Sequence, residues 1–433
     1  MPKARPALGL LARALRKLGL GKAPASKAAP ARATPKRGRR AGQRHPGSPA
    51  QGRFFANVVI VPGSQDKTRT TIVNGGPIWP NFDRQTWPRL VRRKHKRVDV
   101  APAMPQGQIP DFPGPAVWGG VLYPQFGHLV CEHLTRLLWS RQRWPDLPYL
   151  FITTERLNRD NLPGYVWDLI DWFGVPREQV HVITEPLRVP KLHVMPQAER
   201  LYGPPPTPAY LNLLEKRVAQ MGLNPMPSDC LYVGRLGMIA AGSGANAGES
   251  YLAEQLTTLG VQLMDPTALP LRAQMEAVMG ANTLIFAEGS ALHGRQLLGR
   301  LPQKIHVLNR RLDHDLGRSE LAARTQGIQY HKVTRRLVSM VHRAGRDIHP
   351  RGLSFYDLDV LFDALDQAGL DLRTGWDSQA YAQAVEQDAR LWLARLDRPE
   401  QEHVLRDPTL KAIRAEFAAE GLTHLLDEME AKA

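Results

Sequence analysis

The run FFANVVIV from Phe54 to Val61 has strand character and is broken by Pro62 to Asp66, so the folded part is predicted to begin near position 53. Residues 66 to 117 are rich in turns and prolines. Between Pro124 and Arg143 the apolar positions Leu129, Leu134, Leu137, Leu138 and Trp139 fit one helix, closed by Pro145. An α/β order follows: strand near Tyr149 to Thr153, helix from Gly164 to Phe173, strands near Val180 to Thr184 and Lys191 to Met195. The segment YGPPPTP, Tyr202 to Pro208, reads as a stiff linker leading into a helix from Ala209 to Met221. Beyond it lie short strands at Leu231 to Val233, Val261 to Met264, Thr283 to Phe286 and Lys304 to Leu308. They are separated by helices from Glu249 to Leu259, from Leu271 to Ala281 and from near Ser290. Short apolar strands alternating with helices predict a parallel sheet covered on both faces. A further strand at Ile328 to Val333 precedes a polar stretch, Arg335 to Arg351, and sequence of helical pattern from Asp357 to Ala433. The expected organisation is an arm over 1–52, an α/β domain over 53–208, a second α/β domain over 209–334 and a mostly helical extension over 335–433.

Charge changes the picture of the arm. The chain of 433 residues carries 57 Lys and Arg against 41 Asp and Glu, a net +16. Residues 1 to 65 hold 14 of the basic residues and no acidic one, leaving 43 basic against 41 acidic residues in the remainder. The basicity is therefore a property of the arm, which argues against a folded face that reads nucleic acid. Leu8, Leu11, Leu15 and Leu18 recur at helical spacing with Arg13, Arg16 and Lys17 between them. Such a helix followed by a disordered, basic stretch suits an anionic membrane surface; a plain soluble extension and a transit peptide fit the same composition. No apolar run approaches the roughly 20 residues that span a bilayer. Only Cys131 and Cys230 are present, too few for a disulfide scaffold or a cysteine zinc site, and a cytoplasmic protein, peripheral at the inner membrane, is the expectation.

Three short motifs carry candidate chemistry. In GHLVCEH, His128 and Glu132 stand four apart on one helical face, while His133 points about 140° away from His128 at α-helical geometry. His-x-x-x-Glu-His has one residue too many for the zinc-protease spacing, so a metal reading is rejected. The pair fits a general base and its orienting partner, although an isolated His-x-x-x-Glu is more often a helix-capping or core histidine beside a surface glutamate. In AEGSALHG, Gly289 and Ser290 follow a strand and open a helix, a junction where small residues let a diphosphate reach backbone N–H groups or merely allow close packing. In LYVGRL, Arg235 follows a strand at the carboxyl edge, where an open α/β sheet binds ligands and a guanidinium can grip a diphosphate. The glycine-rich stretch Gly242 to Gly248 leads to Glu249 in the first turn of a helix, where a carboxylate is favoured in any case. Asp313 and Asp315 flank His314 in a polar loop and read as solvated.

Taken in order, FGHLVCEHLTRLLW, LYVGRL, GES before a helix, and LGVQLMDPTALPLRAQMEAVMGANTLIFAEGSALH resemble glycosyltransferase family 61, which includes capsular-polysaccharide-type transferases, over roughly residues 115 to 333. The resemblance implies a GT-B-like fold of two Rossmann-like domains facing a cleft, the second holding a nucleotide-diphospho sugar. It also implies inversion at the anomeric carbon, no required metal or other cofactor, and a glycan or lipid-linked glycan acceptor. On that basis Glu132 is expected to act as base and His128 to orient it or the acceptor. Arg235, Gly289 and Ser290 are expected at the leaving diphosphate of a UDP-linked sugar, and Glu249 and His293 at ribose or sugar hydroxyls. His293 stands where relatives often carry Asn. Where relatives carry a second basic residue and an Asn ahead of the helix glutamate, this chain has the small-residue stretch Ala240 to Gly248. That departure favours a competing reading, a non-catalytic scaffold that binds glycan or nucleotide sugar.

Overall fold

In the computed structural model the described residues are 51–433 without 66–72, 86, 93–95, 155–156, 312–313, 399–402 and 432–433. The expectations for the basic arm, and for Asp313, lie outside them. The first sheet has six strands in the order Val73–Pro77, Arg53–Gln65, Leu187–Val194, Pro115–Leu122, Tyr149–Thr153, Val180–Val182. Arg53–Gln65 runs antiparallel to both its neighbours, and the last four strands are mutually parallel. Pro115–Leu122 and Tyr149–Thr153 are apolar and buried along nearly their whole length, as strands covered on both faces must be.

The second sheet is wholly parallel, in the order Gln262–Met264, Ser228–Val233, Ala281–Ala287, Lys304–Leu308, Gly327–His331. Chain order reverses here: Ser228–Val233 leads to Gln262–Met264 on one side, while Ala281–Ala287 lies on the other and leads onward in the opposite direction. The crevice between the carboxyl ends of Ser228–Val233 and Ala281–Ala287 is thus a topological switch point, the place where open α/β sheets take ligands. The helix Pro208–Gln220 starts cleanly because Thr207 Oγ1 accepts from Tyr210 N and proline fills the first turn, where no N–H is needed.

One hydrophobic cluster runs from Val117 and Leu122 in the first sheet through Tyr210 and Leu214 to Phe286, Val307 and Leu321 in the second, across the linker at 202–208. Segments 126–133 and 290–298 pack on one another, as do helices Gly164–Trp172 and Leu271–Gly280, and these contacts bring the two sheets together around one cleft. A bidentate pair reinforces the join: Arg324 Nη1 and Nη2 donate to Glu199 Oε2 (2.7 Å) and Oε1 (2.5 Å), with both side chains buried. Glu199→Ala would strand that guanidinium without a counter-charge, and a loss of about 3–5 kcal/mol in urea unfolding is expected.

Residues 335–433 are more than a helical extension. Leu353–Tyr356 pairs in parallel with Ala245–Ala247 and antiparallel with Thr334–Val338, making a small third sheet. Helices Leu358–Gln367, Ser378–Leu393, Arg406–Ala419 and Thr423–Ala431 follow. Their apolar faces share a second cluster with Tyr232, Leu252, Ile285 and Leu308, so this segment completes the core of the second sheet. No helix among the described residues is long and apolar enough to cross a membrane.

Candidate functional site

The predicted helix from Pro124 to Arg143 is interrupted. Phe126–His128 is α-helical, Leu129–His133 is a single π turn closed by Leu134 N to Leu129 O (2.9 Å), and Leu137–Arg143 resumes as α-helix. A π turn brings residue i+5 back toward residue i, and such turns gather at functional sites. The His133 ring accordingly lies 6.5 Å from that of His128 and stacks on Tyr123 at 5.6 Å, nearer than α-helical spacing places it. His133 is 1 % exposed, and neither ring nitrogen has a hydrogen-bond partner. Burial pulls it down to about 3, so it stays neutral.

Glu132 and His128 meet as the spacing predicts. Glu132 Oε2 lies 2.9 Å from His128 Nδ1 and also accepts from Arg92 Nε at 2.8 Å. The Glu132 side chain is 0 % exposed, whereas that of His128 is 17 % exposed. Burial alone would raise the Glu132 carboxyl; the His128 hydrogen bond and the Arg92 charge outweigh it and hold the group at about 2. Arg92 comes from Val91–Arg92, a two-residue strand paired with Lys96–Arg97 in a ribbon. Gln197 latches that strand to the π turn, its Oε1 accepting from Val91 N (2.9 Å) and its Nε2 donating to Glu132 O (2.7 Å). His128, Cys131 and Glu132 offer ligand atoms within 4.8 Å of one another. The Arg92 guanidinium already occupies Glu132 Oε2, and burial pushes the Cys131 thiol well up, so the donor set suits a cation poorly.

Across the cleft, Arg235 stands at the carboxyl end of Ser228–Val233. Its Nε and Nη2 donate to Gly244 O at 3.0 and 2.6 Å, and its Nη1 crosses Gly289, where any Cβ would overlap it. Gly289 is therefore needed for close approach. Its φ of −179° is open to any residue. The Ser290–Leu298 stretch is a run of 3₁₀ turns instead of the predicted α-helix. A cavity of about 540 Å³ opens here, with Arg235, Ser243, Ser290 and Ala291 on one wall and Phe126, Tyr165 and Asp168 on the other. Gly127 packs against Ser290 and His293, which places the His128–Glu132 pair beside the same cleft.

Two predicted ligand contacts fall elsewhere. Glu249 is 2 % exposed, and its Oε1 accepts from Tyr232 Oη and Arg235 N, both at 2.7 Å. Filled by those donors, it braces Arg235 from behind and does not line the cavity. His293 is also buried, its Nδ1 3.0 Å from Gln296 Oε1, and burial pulls it down to about 4. It packs behind Gly127, away from the cavity wall. Asp315, from the polar Asp-His-Asp loop, pairs with Arg318 at 2.8 Å.

The sequence reading missed two more cations at this edge. Arg310 and Arg311 follow Lys304–Leu308, the next parallel strand; Glu288 Oε2 accepts from both of their backbone N–H groups at 3.0 and 2.8 Å, and Arg311 Nε donates to Glu288 Oε1 at 2.9 Å. Arg310 is buried against Gly244 with its Nε unsatisfied, and burial, with the charges of Arg235 and Arg311, pulls it down to about 9. With Glu249 and Glu288 among them, the three arginines still leave a net positive charge at the sheet's carboxyl edge, which favours an anion. The paired arginines directly after a strand were the available signal.

No curated protein matches the chain. Residues 126–295, from Phe126 on the cavity wall through the π turn, Arg235 and the Gly289–Ser290 turn, match the model of the family described as Glycosyltransferase 61. The region that builds both sides of this cleft belongs to the glycosyltransferase 61 family.

Proposed function

We propose that the protein is an inverting, GT-B-like glycosyltransferase that moves a sugar from a nucleotide-diphospho donor to a hydroxyl of a glycan acceptor. The observation that carries this reading is the cavity at the switch point, with buried Arg235 on one wall and the His128–Glu132 pair beside the other. A nucleotide-sized cavity with mostly apolar walls and one fixed cation, Arg235, suits a base, a ribose and a diphosphate. Arg235 on the cavity wall supplies positive charge for a leaving diphosphate, fixed before the reaction begins, while Arg310, behind Gly244, and Arg311, paired with Glu288, add to the charge of this sheet edge without lining the cavity.

The burial of Glu132 supports the opposite assignment of roles within the pair to the one expected. Glu132 is sealed from the cleft and its carboxyl is held at about 2, too weak a base and out of reach of an acceptor. With Nδ1–H donated to Glu132, the His128 lone pair is on Nε2, on the more exposed of the two side chains, where Arg92 Nη2 lies 2.5 Å away and must give place to the acceptor hydroxyl. His128 takes the proton of the acceptor hydroxyl while Glu132 stabilises the imidazolium that forms. The acceptor oxygen bonds to the anomeric carbon from the face opposite the leaving group. The bond from that carbon to the diphosphate breaks with its electron pair going to the phosphate oxygen.

The scaffold reading rested on the loop at 240–248. That loop does carry an Asn three residues ahead of Glu249, Asn246, whose Nδ2 lies 3.4 Å from Glu249 Oε2, and Arg310 packs on Gly244 from another strand. The test is turnover of UDP-, GDP-, CMP- and dTDP-sugars with glycan acceptors, followed by NMR of the product. Net inversion at the anomeric carbon is the expected result; a retained configuration contradicts the single displacement.

A further inference from the structure

The loop that aims Arg235 is built from residues that cannot order themselves. From Ala240 to Gly248 it is almost entirely alanine, glycine and serine, and fixing each such backbone costs about 1–2 kcal/mol of conformational entropy. The order comes from the C-terminal segment, outside the matched family region. Arg395, wholly buried in the turn Ala394–Asp397 after helix Ser378–Leu393, donates from Nη2 to Gly242 O (2.6 Å) and from Nη1 to Ser243 O (2.9 Å). The next carbonyl, Gly244 O, is the one that holds Arg235. Arg398 Nη1 reaches Ala240 O at 3.3 Å.

The other end of the loop is held by the same helix. Helix Glu249–Thr258 begins at Gly248, whose φ of 78° suits glycine and which has no side chain to cap its own helix. Asp388 supplies that cap from 140 residues away, its Oδ2 accepting from Gly248 N at 2.8 Å. The Tyr381 ring fills the space where a Cβ on Gly248 would sit. Between the two holds, Ala245–Ala247 is zipped to Leu353–Tyr356, and Ser354 Oγ donates to Asn246 Oδ1 at 2.6 Å.

We infer that Arg395 and Asp388 are positioning residues of the donor site, the C-terminal helix acting as a clamp that sets Gly244 O and hence the Arg235 guanidinium against the diphosphate. This rests on the glycosyltransferase reading given above. Arg395 touches no substrate in this scheme; it works through three consecutive carbonyls and Arg235.

The test uses the full chain carrying Arg395→Met, Arg395→Lys or Arg398→Ala, the last at the exposed rim in case the buried variants fold poorly. Hydrogen exchange of the amides of 236–248 is followed beside titration with UDP, GDP and dTDP. For Arg395→Met, loop exchange at least about ten-fold faster than in the unsubstituted protein is expected, with the rest of the second sheet unchanged. Nucleotide affinity should fall by about ten-fold, and by less in Arg395→Lys, which keeps the charge and one donor nitrogen but loses the fork. Arg398→Ala should show the same pair of effects to a smaller degree. Unchanged loop exchange in every variant, or faster exchange with unchanged nucleotide affinity, overturns the clamp. Absence of nucleotide binding in the unsubstituted protein overturns the glycosyltransferase reading and this inference with it, and is recognised because no substitution is needed to see it.

Discussion

Replacing His128 with alanine should lower the rate of sugar transfer by about 10²–10⁴-fold, the usual range for a general base, while donor affinity stays near that of the unsubstituted protein. The split follows from position. His128 lies beside the cleft next to Gly127 and does not line the cavity, whose cation is Arg235. Glu132→Gln keeps the shape of the side chain but removes the charge that favours the imidazolium, so it should also slow transfer. It leaves Arg92, only 6 % exposed, without its carboxylate, and a fall in stability should accompany the fall in rate. The pH profile separates the two candidates for the base. Glu132, with its carboxyl at about 2, stays ionised at every pH at which transfer is measured, so loss of activity on acidification toward pH 5 cannot be its protonation. The carboxyl is lowered in the folded protein from an ordinary 4.5, so its own contribution is to stability: present above pH 4.5 and lost as pH falls toward 2. Steady-state kinetics of H128A and E132Q, each beside a urea midpoint, check both statements. Full transfer activity in H128A contradicts the assignment.

The second large effect concerns the leaving group. Arg235→Ala should cost about 10²–10³-fold in turnover, the range measured when one preorganised donor to a developing anion is removed. Gly289→Ala provides the independent check, because its new methyl group would displace Arg235 Nη1 while leaving the arginine in the sequence. The two variants should therefore share one defect, with slower diphosphate departure and weaker nucleotide binding. Measurement of nucleoside diphosphate release in single turnovers reads it directly. A Gly289→Ala protein that folds and turns over normally would show that the crossing of Arg235 over Gly289 does not matter to the reaction.

The second sheet was almost fully legible in the sequence because its strands are short apolar runs between helices. Lys304–Leu308 falls where the pattern places it, and Ser228–Val233 and Ala281–Ala287 extend their predicted cores by a few residues. The placement of His128, Glu132 and Arg235 by the cleft was legible for the same local reason, being fixed by spacing or by position after a strand. What escaped was set by long-range contact. Arg92 belongs to a two-residue strand in a proline-rich stretch and meets Glu132 across 40 positions, so no periodicity announces it. The π turn inserts its extra residue without a proline or glycine to mark it. Glu249 and His293 had the right chemistry for sugar hydroxyls, but burial, which short motifs do not encode, turned both inward. What the C-terminal segment packs on was left open, because helical patterning says nothing of what a helix covers. Here it covers the loop at 240–248.

The most direct measurement is calorimetric titration of the full chain with UDP-, GDP-, CMP- and dTDP-sugars, alongside Arg235→Ala. Saturable binding of one nucleotide class, lost in Arg235→Ala and kept in His128→Ala, is the expected result. Binding of none of them by the folded protein, or binding indifferent to Arg235, would contradict a nucleotide-sugar donor site at this cavity.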